Sequence, residues 1–150
     1  MLKLCVAGAA GRMSNAVIQE ALGKGHQITG AVEAQGSPFV GKTLRELGIC
    51  NVDLRVASAD KLGEALQEAD VYVTFTTPAA EMQNIPVVAS LGKRIVLGTT
   101  GFTEEQNRQL REAVSGRVPA VFSPNFSVGV NILFKLARSL KVFPKEYTFS

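Results

Sequence analysis

The sequence contains little of what metal sites and nucleophilic sites are built from. Its 150 residues include one histidine, His26, and two cysteines, Cys5 and Cys50, none of them in a metal-ligand spacing. Ser123 and Ser127 have no histidine base in the neighbouring sequence, which argues against a serine hydrolase. We therefore expect no metal site, a solvated turn at His26, and two reduced structural thiols, with Cys5 buried.

The chain also lacks a long hydrophobic run and a concentrated patch of one charge. The first apolar run ends at Gly8 and is too short for a signal peptide or a membrane span, so we expect a cytoplasmic protein with no membrane partner. The net charge is +3, but acidic and basic residues are interspersed, as at residues 104–112. Without a basic stripe interleaved with aromatics, nucleic acid is not an expected partner.

Apolar runs and amphipathic segments alternate along the chain, and 46% of the residues are hydrophobic. The pattern predicts buried strands at residues 4–7, 28–32, 71–75, 95–97 and 120–122. It predicts helices at residues 13–22, 61–69, 79–91 and 104–114, the last with a capping box formed by Thr103 and Gln106. This alternation indicates the α/β class, with a doubly wound, mostly parallel sheet of the Rossmann-like dinucleotide-binding type.

Two stretches are less regular. Residues 33–54 are rich in glycine and turn formers, and we expect a long loop with a short helix near residues 43–47 and then a strand at 52–56. Near the C-terminus the sequence predicts an amphipathic helix, then a break at residues 143–144 and the beginning of a strand at 147–149. We interpret 1–127 as a dinucleotide-binding domain and 128–150 as the truncated start of a second domain. The apolar stripe of the helix comprises Val130, Ile132, Leu133, Leu136, Ala137 and Leu140.

Loops rich in glycine, threonine or asparagine follow three of the apolar runs, at residues 8–13, 98–102 and 123–126. In an open parallel sheet, loops at the carboxyl ends of the strands enclose a crevice that can bind a ligand. Gly8 and Gly11 permit a tight turn and let backbone N–H groups approach a pyrophosphate at the positive end of a helix. The alternative is a plain strand-to-helix turn.

An acidic residue ends the second predicted strand. Glu33 lies about 20 residues beyond the glycines, where a carboxylate can accept hydrogen bonds from the adenosine ribose, although a solvated loop carboxylate is the alternative. Ala34 follows it, so Arg12 is the nearby cation for a 2′-phosphate, and we expect NADH to be accepted at least as well as NADPH. Ser14 replaces the third glycine of the usual fingerprint, where it would pack the helix on the sheet less closely.

Threonine-rich segments follow the next two main strands, one at Phe75, Thr76 and Thr77 and the other at residues 98–100. Their hydroxyls and bare backbone suit the ribose, the pyrophosphate and the nicotinamide amide. Asn125 offers a carboxamide to pair with that of nicotinamide, and Phe126 could form a wall beside the ring. Each segment can also be an ordinary turn.

Three strings together resemble one family. GAAGRM at residues 8–13, GTTGF at 98–102 and SPNFSVGVN at 123–131, in this order and spacing, are similar to dihydrodipicolinate reductase, over essentially the whole chain. The resemblance implies hydride transfer from NADH or NADPH to 4-hydroxy-tetrahydrodipicolinate, a small cyclic dicarboxylate of the diaminopimelate route to lysine. It also implies a homotetramer, with Thr100 nearest the substrate. The cofactor-binding residues that it implies are Gly8, Ala9, Ala10, Gly11, Arg12, Met13, Glu33, Gly98, Thr99, Thr100, Ser123, Pro124, Asn125 and Phe126.

The family's catalytic His-His-x-x-Lys string and its Ser-Gly-Thr box do not occur in these residues, and would follow Ser150. We therefore expect the chain to bind the cofactor without turning over substrate, because no proton donor or cationic clamp orients a dicarboxylate. Two alternatives stay open: a stand-alone NAD(P)-binding sensor or regulatory module, and an aspartate dehydrogenase-like reductase of the same fold.

Overall fold

The structure is a computed structural model that describes residues 1–139, in which strands and helices alternate. The strands are β1 Lys3–Ala7, β2 Gln27–Glu33, β3 Ala57–Ser58, β4 Val71–Thr74, β5 Arg94–Leu97 and β6 Ala120–Phe122. The helices are α1 Arg12–Gly23, α2 Leu62–Ala65, α3 Pro78–Ser90, α4 Glu104–Val114 and α5 Val128–Ser139, with a short 3₁₀ helix at Ala59–Lys61.

All six strands belong to one sheet with the order β3-β2-β1-β4-β5-β6, and every neighbouring pair is parallel. The strand order therefore reverses between β1 and β4, which is where doubly wound sheets bind their ligands. The predicted α/β class and the doubly wound, parallel sheet are confirmed.

Two buried clusters cover the two faces of the sheet. Alternate residues of β1 point to opposite faces and enter different clusters. Val6 packs in one buried cluster with Ile18 of α1, and Cys5 packs in the other with Ile85 of α3. Each of these four side chains is fully buried. Burial of an isoleucine stabilises the fold by roughly 2 kcal/mol, so the helices hold the strand ends of the crevice in fixed positions.

The predicted elements agree with the structure at most positions. Helix α4 has the predicted bounds, and Thr103 and Gln106 form its capping box. Helix α2 is shorter than the predicted 61–69, because residues after Ala65 form i→i+3 turns and Gly63 weakens the helix. Strand β6 is an edge strand and is not buried as predicted, since Val121 is 55% exposed.

The loop between β2 and β3 differs from the prediction in two ways. Residues 43–47 form turns and not a helix, because Gly48, with a φ of +67°, ends the segment after one turn. In that turn the Leu47 N–H donates to the Thr43 carbonyl oxygen at 3.1 Å, and Thr43 and Glu46 bond each other as in a capping box. The strand predicted at 52–56 is also wrong. Arg55 makes a single antiparallel bridge to Thr43, and pairing with the sheet begins only at Ala57.

Helix α5 forms as predicted but has no buried residue between Val128 and Ser139. Its apolar stripe is exposed, with Ile132 at 53% and Leu133 at 61%. The expectations for Leu140, the break at 143–144 and the strand at 147–149 lie outside the described residues. None of the helices within residues 1–139 is long and apolar enough to cross a membrane.

Candidate functional site

The carboxyl ends of β1, β2 and β4 meet at one edge of the sheet, beside the point where the strand order reverses. A hollow of about 370 Å³ lies there, and we call it the glycine-loop hollow. Its lining residues are Ala7, Gly8, Ala10, Gly11, Glu33, Ala34, Phe39, Ala59, Phe75, Thr76, Thr77, Ala80 and Asn84.

The glycine-rich loop passes close to the loop that follows β4. Gly8 has a φ of +65°, and a Cβ added to it would lie 3.0 Å from Cγ2 of Thr76 and 3.1 Å from the carbonyl oxygen of Phe75. The Gly8 N–H donates to the carbonyl oxygen of Val32 at 2.8 Å, which ties the loop to β2. Only glycine combines this backbone conformation with such a close approach.

The N-terminus of α1 faces this hollow and is open to an anion. Its N-cap residue, Gly11, makes no side-chain cap, and the first turn of α1 has no acidic residue. By contrast, the N-termini of α3 and α4 are capped by Thr77 and Thr103. The unpaired N–H groups and the positive end of the helix dipole fit the diphosphate of a dinucleotide.

Ser14 ties α1 to the sheet. Its side chain is buried, and its hydroxyl donates to the carbonyl oxygen of Ala7 at 3.0 Å. The looser packing expected from a serine at this position is therefore compensated by a hydrogen bond between the helix and the end of β1.

Glu33 ends β2 and lines the hollow, so it is not a solvated loop residue. Its Oε1 accepts a hydrogen bond from the backbone N–H of Ala10 at 2.8 Å. The carboxylate therefore holds the glycine-rich loop to the end of β2. Arg12 and Met13 begin α1 beside this loop, and both are exposed.

Phe75 separates the glycine-loop hollow from a second one of about 550 Å³, which we call the Phe126 hollow. The Phe75 ring lies against Gly98, where an added Cβ would be 2.1 Å from Cε1 of the ring. It also meets Phe126 edge to face, with 6.2 Å between ring centroids. The Phe126 hollow is lined by Met13, Phe75, Gly98, Pro124, Asn125, Phe126 and Ser127.

A third hollow of about 270 Å³ continues along the same edge, and we call it the Thr100 hollow. It shares Pro124 with the Phe126 hollow, so the three hollows form one series across the ends of the strands. Arg111 of α4 contributes a cation to this end of the series. The lining of the Thr100 hollow includes Thr99, Thr100, Gly101, Asn107, Arg111, Ser123 and Pro124.

The structure brings most of the predicted site residues to these hollows. Met13 and Asn125 line the Phe126 hollow, and Thr99 lines the neighbouring Thr100 hollow. Ala9 is fully buried beneath the glycine-rich loop, and Arg12 points to solvent. Neither of these two residues lines any of the three hollows.

The threonine hydroxyls differ from the expectation that they would face a ligand. The Thr76 hydroxyl donates to the Glu81 carboxyl group, and the Thr77 hydroxyl caps α3 by accepting from the Ala80 N–H at 3.3 Å. The Thr99 hydroxyl accepts from the backbone N–H of Thr76 at 2.9 Å. The Thr76 and Thr99 hydroxyls therefore link α3 and the loops, and the Thr77 hydroxyl caps α3, while no hydrogen bond within residues 1–139 uses the O–H protons of Thr77 and Thr99.

Asn125 organises the turn between β6 and α5. Its Oδ1 accepts from the Ser127 N–H at 2.8 Å, and its carbonyl oxygen accepts from Ser123 Oγ at 2.8 Å and from Asn131 Nδ2 at 3.0 Å. The side-chain NH₂ of Asn125 is therefore the part of its carboxamide that remains to pair with a ligand.

Two residues of α3 that no sequence motif predicted, Asn84 and Glu81, lie under the crevice. Asn84 lines the glycine-loop hollow, and its Nδ2 donates to the Tyr72 hydroxyl at 3.1 Å. Glu81 is fully buried behind the loop that follows β4. It falls in register with Ile85 and Val88 on the apolar face of α3, and a carboxylate in that stripe is the signal that could have revealed it.

His26 and the two cysteines, for which the sequence predicts no role in binding, lie away from the crevice. His26 lies in the turn before β2, at the opposite edge of the sheet, and its Nδ1 accepts from the Leu2 N–H at 3.4 Å. Both cysteines are free, and burial raises the pKa of Cys5 to about 12. Within residues 1–139, no cluster of His, Cys, Asp or Glu could hold a metal ion.

A parallel sheet with this strand order, a glycine-rich turn into an uncapped helix and an acidic residue at the end of β2 define a dinucleotide-binding protein of the doubly wound α/β class. Residues 2–126 match the family model described as dihydrodipicolinate reductase, N-terminus. The chain belongs to this family, as the three strings had indicated.

Curated relatives agree with this assignment. The chain is 41% identical over 140 residues to 4-hydroxy-tetrahydrodipicolinate reductase of Trichlorobacter lovleyi, covering 93% of this chain and 52% of the relative. It is 41% identical over 139 residues to the enzyme of the same name from Anaeromyxobacter dehalogenans, covering 92% of this chain and 51% of the relative. The chain thus spans about half the length of the curated relatives it matches.

Solved structures share the fold. A dipicolinate-bound dihydrodipicolinate reductase from Paenisporosarcina sp. TG-14 superposes with a TM-score of 0.67 at 20% identity, covering 95% of this chain and 54% of that one. An aspartate semialdehyde dehydrogenase II from Vibrio cholerae gives a TM-score of 0.55 at 13% identity, covering 80% of this chain and 41% of that one.

Proposed function

We propose that this chain is the cofactor-binding part of an NAD(P)H-dependent reductase that acts on 4-hydroxy-tetrahydrodipicolinate. The observation that carries the proposal is the glycine-rich loop, which is tied to Glu33 and opens into the uncapped N-terminus of α1. Membership of the dihydrodipicolinate reductase family supports a nicotinamide dinucleotide as the ligand and the dicarboxylate as the substrate of the whole protein.

The series of hollows suggests how an extended dinucleotide would lie. The adenosine end would occupy the glycine-loop hollow, with its ribose hydroxyls donating to Glu33 and its diphosphate at the N-terminus of α1. The nicotinamide end would reach the Phe126 hollow, where Asn125 Nδ2 offers a donor for its carboxamide and Phe126 an apolar wall. Thr100 and Arg111 would then lie nearest the substrate.

When bound, the reduced cofactor supplies a hydride, and the part of this chain is to bind and orient its donor. Backbone N–H groups fix the diphosphate, Glu33 fixes the ribose, and the aromatic pair of Phe75 and Phe126 restricts the position of the nicotinamide end. Holding the donor in one orientation lowers the entropy that hydride transfer must lose.

Further parts of the proposal follow from the family. Residues 128–150 would begin a substrate domain, and the whole protein would be a cytoplasmic homotetramer. The family's His-His-x-x-Lys string does not occur in these 150 residues. The chain alone would therefore bind the cofactor and not reduce the dicarboxylate.

Calorimetric titration of the chain with NADH and with NADPH tests the cleft. We expect saturable binding of both, with NADH bound at least as tightly, and binding of neither would overturn the proposal. A stand-alone sensor would bind the cofactor equally well. Nicotinamide oxidation by the whole protein, assayed with 4-hydroxy-tetrahydrodipicolinate and then with oxaloacetate plus ammonia, separates the reductase from the sensor and from an aspartate dehydrogenase-like enzyme.

A further inference from the structure

Glu81 is a fully buried carboxyl group directly behind the crevice. It belongs to the first turn of α3 and points back to the end of β4, where its Oε1 accepts hydrogen bonds from the hydroxyls of Thr74 and Thr76. Its Oε2 is buried and has no hydrogen-bond partner among residues 1–139. A buried carboxyl group that is only partly satisfied destabilises a fold, so its presence calls for a role in this loop.

The surroundings of Glu81 favour its neutral acid form. None of the four ion pairs within residues 1–139 involves Glu81. Burial raises its pKa above the ordinary value of 4.5, against the opposing effect of the two threonine hydroxyls. The titratable groups nearby are Tyr72 on β4 and, behind it, Cys5 on β1, whose pKa values are both raised, so both stay uncharged near neutral pH.

Thr76 connects this carboxyl group to both loops of the crevice. Its hydroxyl donates to Glu81, its methyl group lies over Gly8, and its backbone N–H donates to Thr99 Oγ1 at 2.9 Å. A threonine has few χ1 rotamers, so the hydrogen bond to Glu81 decides which side of Thr76 faces Gly8. The rotamer in turn fixes the spacing between Thr76 and the glycine-rich loop, while the backbone N–H of Thr76 holds the loop after β5.

We infer that Glu81 is a positioning residue of the cofactor cleft, whose buried carboxyl group fixes the rotamer of Thr76 and thereby the contact of its methyl group with Gly8. The inference rests on the proposed function, because it assigns Glu81 to the same dinucleotide site. Glu81 touches no hollow and is not a catalytic residue. Its effect on binding passes through Thr76.

The inference is tested with variants that separate hydrogen bonding from packing. Glu81→Gln keeps the shape and a hydrogen-bonding oxygen, and we expect its Kd for NADH to stay within about twofold of the unsubstituted chain. Glu81→Leu leaves both threonine hydroxyls without their acceptor, and we expect a Kd about tenfold higher. Val88→Ala, on the same buried face of α3, is the control: it should lower the melting temperature without changing the Kd.

Thr76→Val is an independent test of the link between Glu81 and Thr76, because it removes the hydroxyl and keeps the methyl group over Gly8. If the two residues act as one unit, the double variant Glu81→Leu with Thr76→Val binds NADH no more weakly than the weaker single variant. Additive losses would overturn the inference, because Glu81 would then act on the cofactor by another route.

Two further measurements do not depend on cofactor binding. Hydrogen exchange of the Thr76 amide should accelerate in Glu81→Leu and not in Val88→Ala. Because the folded pKa of Glu81 is raised, the acid form stabilises the fold below pH 4.5 and this contribution is lost as the pH rises. Glu81→Gln should therefore gain in melting temperature over the unsubstituted chain as the pH rises above 4.5.

The outcomes distinguish the two proposals. If the unsubstituted chain binds NADH and Glu81→Leu binds it equally well, Glu81 is not a positioning residue and the proposed function stands. If the unsubstituted chain binds neither cofactor, the proposed function fails. Unchanged exchange of the Thr76 amide in Glu81→Leu then rejects the link between Glu81 and Thr76 as well.

Discussion

Replacing Glu33 separates the two cofactors, because this carboxylate has two tasks in the structure. It accepts from the Ala10 N–H at 2.8 Å, and under the proposed function it also accepts from the ribose diol of NADH. NADPH carries a 2′-phosphate in place of one hydroxyl and would be repelled by the same carboxylate. Glu33→Ala should therefore weaken both cofactors through the loosened loop, and NADH further through the lost ribose acceptor.

The magnitude follows from hydrogen bonds to a charged group, each of which contributes about 1.5–3 kcal/mol. The Kd for NADH should rise by about ten- to a hundredfold in Glu33→Ala, and the Kd for NADPH by less. Glu33→Gln is the matched variant: it keeps an oxygen for the Ala10 N–H and removes the charge, so NADPH should bind more tightly than to the unsubstituted chain.

Fluorescence titration of the reduced cofactors measures all three proteins under one salt condition, since exposed charges are screened by salt. Equal losses of both cofactors in Glu33→Ala, with no gain for NADPH in Glu33→Gln, would refute the assignment of Glu33 to the ribose. Its role would then be limited to holding the glycine-rich loop.

Three smaller changes test the scaffold around the site. Ser14→Ala removes the hydroxyl that donates to Ala7, and the free energy of unfolding in a urea titration should fall by about 1 kcal/mol. Gly8→Ala places a Cβ 3.0 Å from Thr76 at a φ of +65°. It should destabilise the chain by more than about 1 kcal/mol and abolish detectable NADH binding in calorimetry. Thr103→Ala removes the capping box of α4 and should cost about 1 kcal/mol of stability with an unchanged Kd for NADH, so a weakened Kd would show that the cofactor itself depends on α4.

The parts of the fold that could be predicted are those specified by local sequence. The strands and α4 carry their own signals, namely buried apolar runs and the Thr103 capping box. The region before β3 could not be predicted in the same way. Gly48, with a φ of +67°, ends the segment that begins at Thr43 after one turn, and the sequence from 52 to 56 pairs with residues 42–44 and not with the sheet.

The site shows the same division. The positions of Gly8 and Glu33 beside the crevice could be predicted because each follows a strand at a fixed spacing. Glu81 and the internal use of the Thr76 hydroxyl could not, because they depend on α3 packing against β4, a contact that no local pattern specifies. Thr76 and Thr100 therefore look equivalent in the sequence. In the fold, the Thr76 hydroxyl bonds to Glu81 and Thr100 lines a hollow.

The commitment of the threonine hydroxyls changes what kind of recognition the cleft can use. The Thr99 hydroxyl joins two loops and the Thr77 hydroxyl caps α3, while the diphosphate at the N-terminus of α1 would meet backbone N–H groups, whose directions are fixed by the fold. Backbone donors lose little side-chain entropy on binding, which favours a preorganised cleft. Affinity should then depend on residues that keep the loops in place, including the buried Glu81, as strongly as on residues that touch the cofactor. Substitutions behind the crevice should accordingly change the affinity for the cofactor as strongly as substitutions within it.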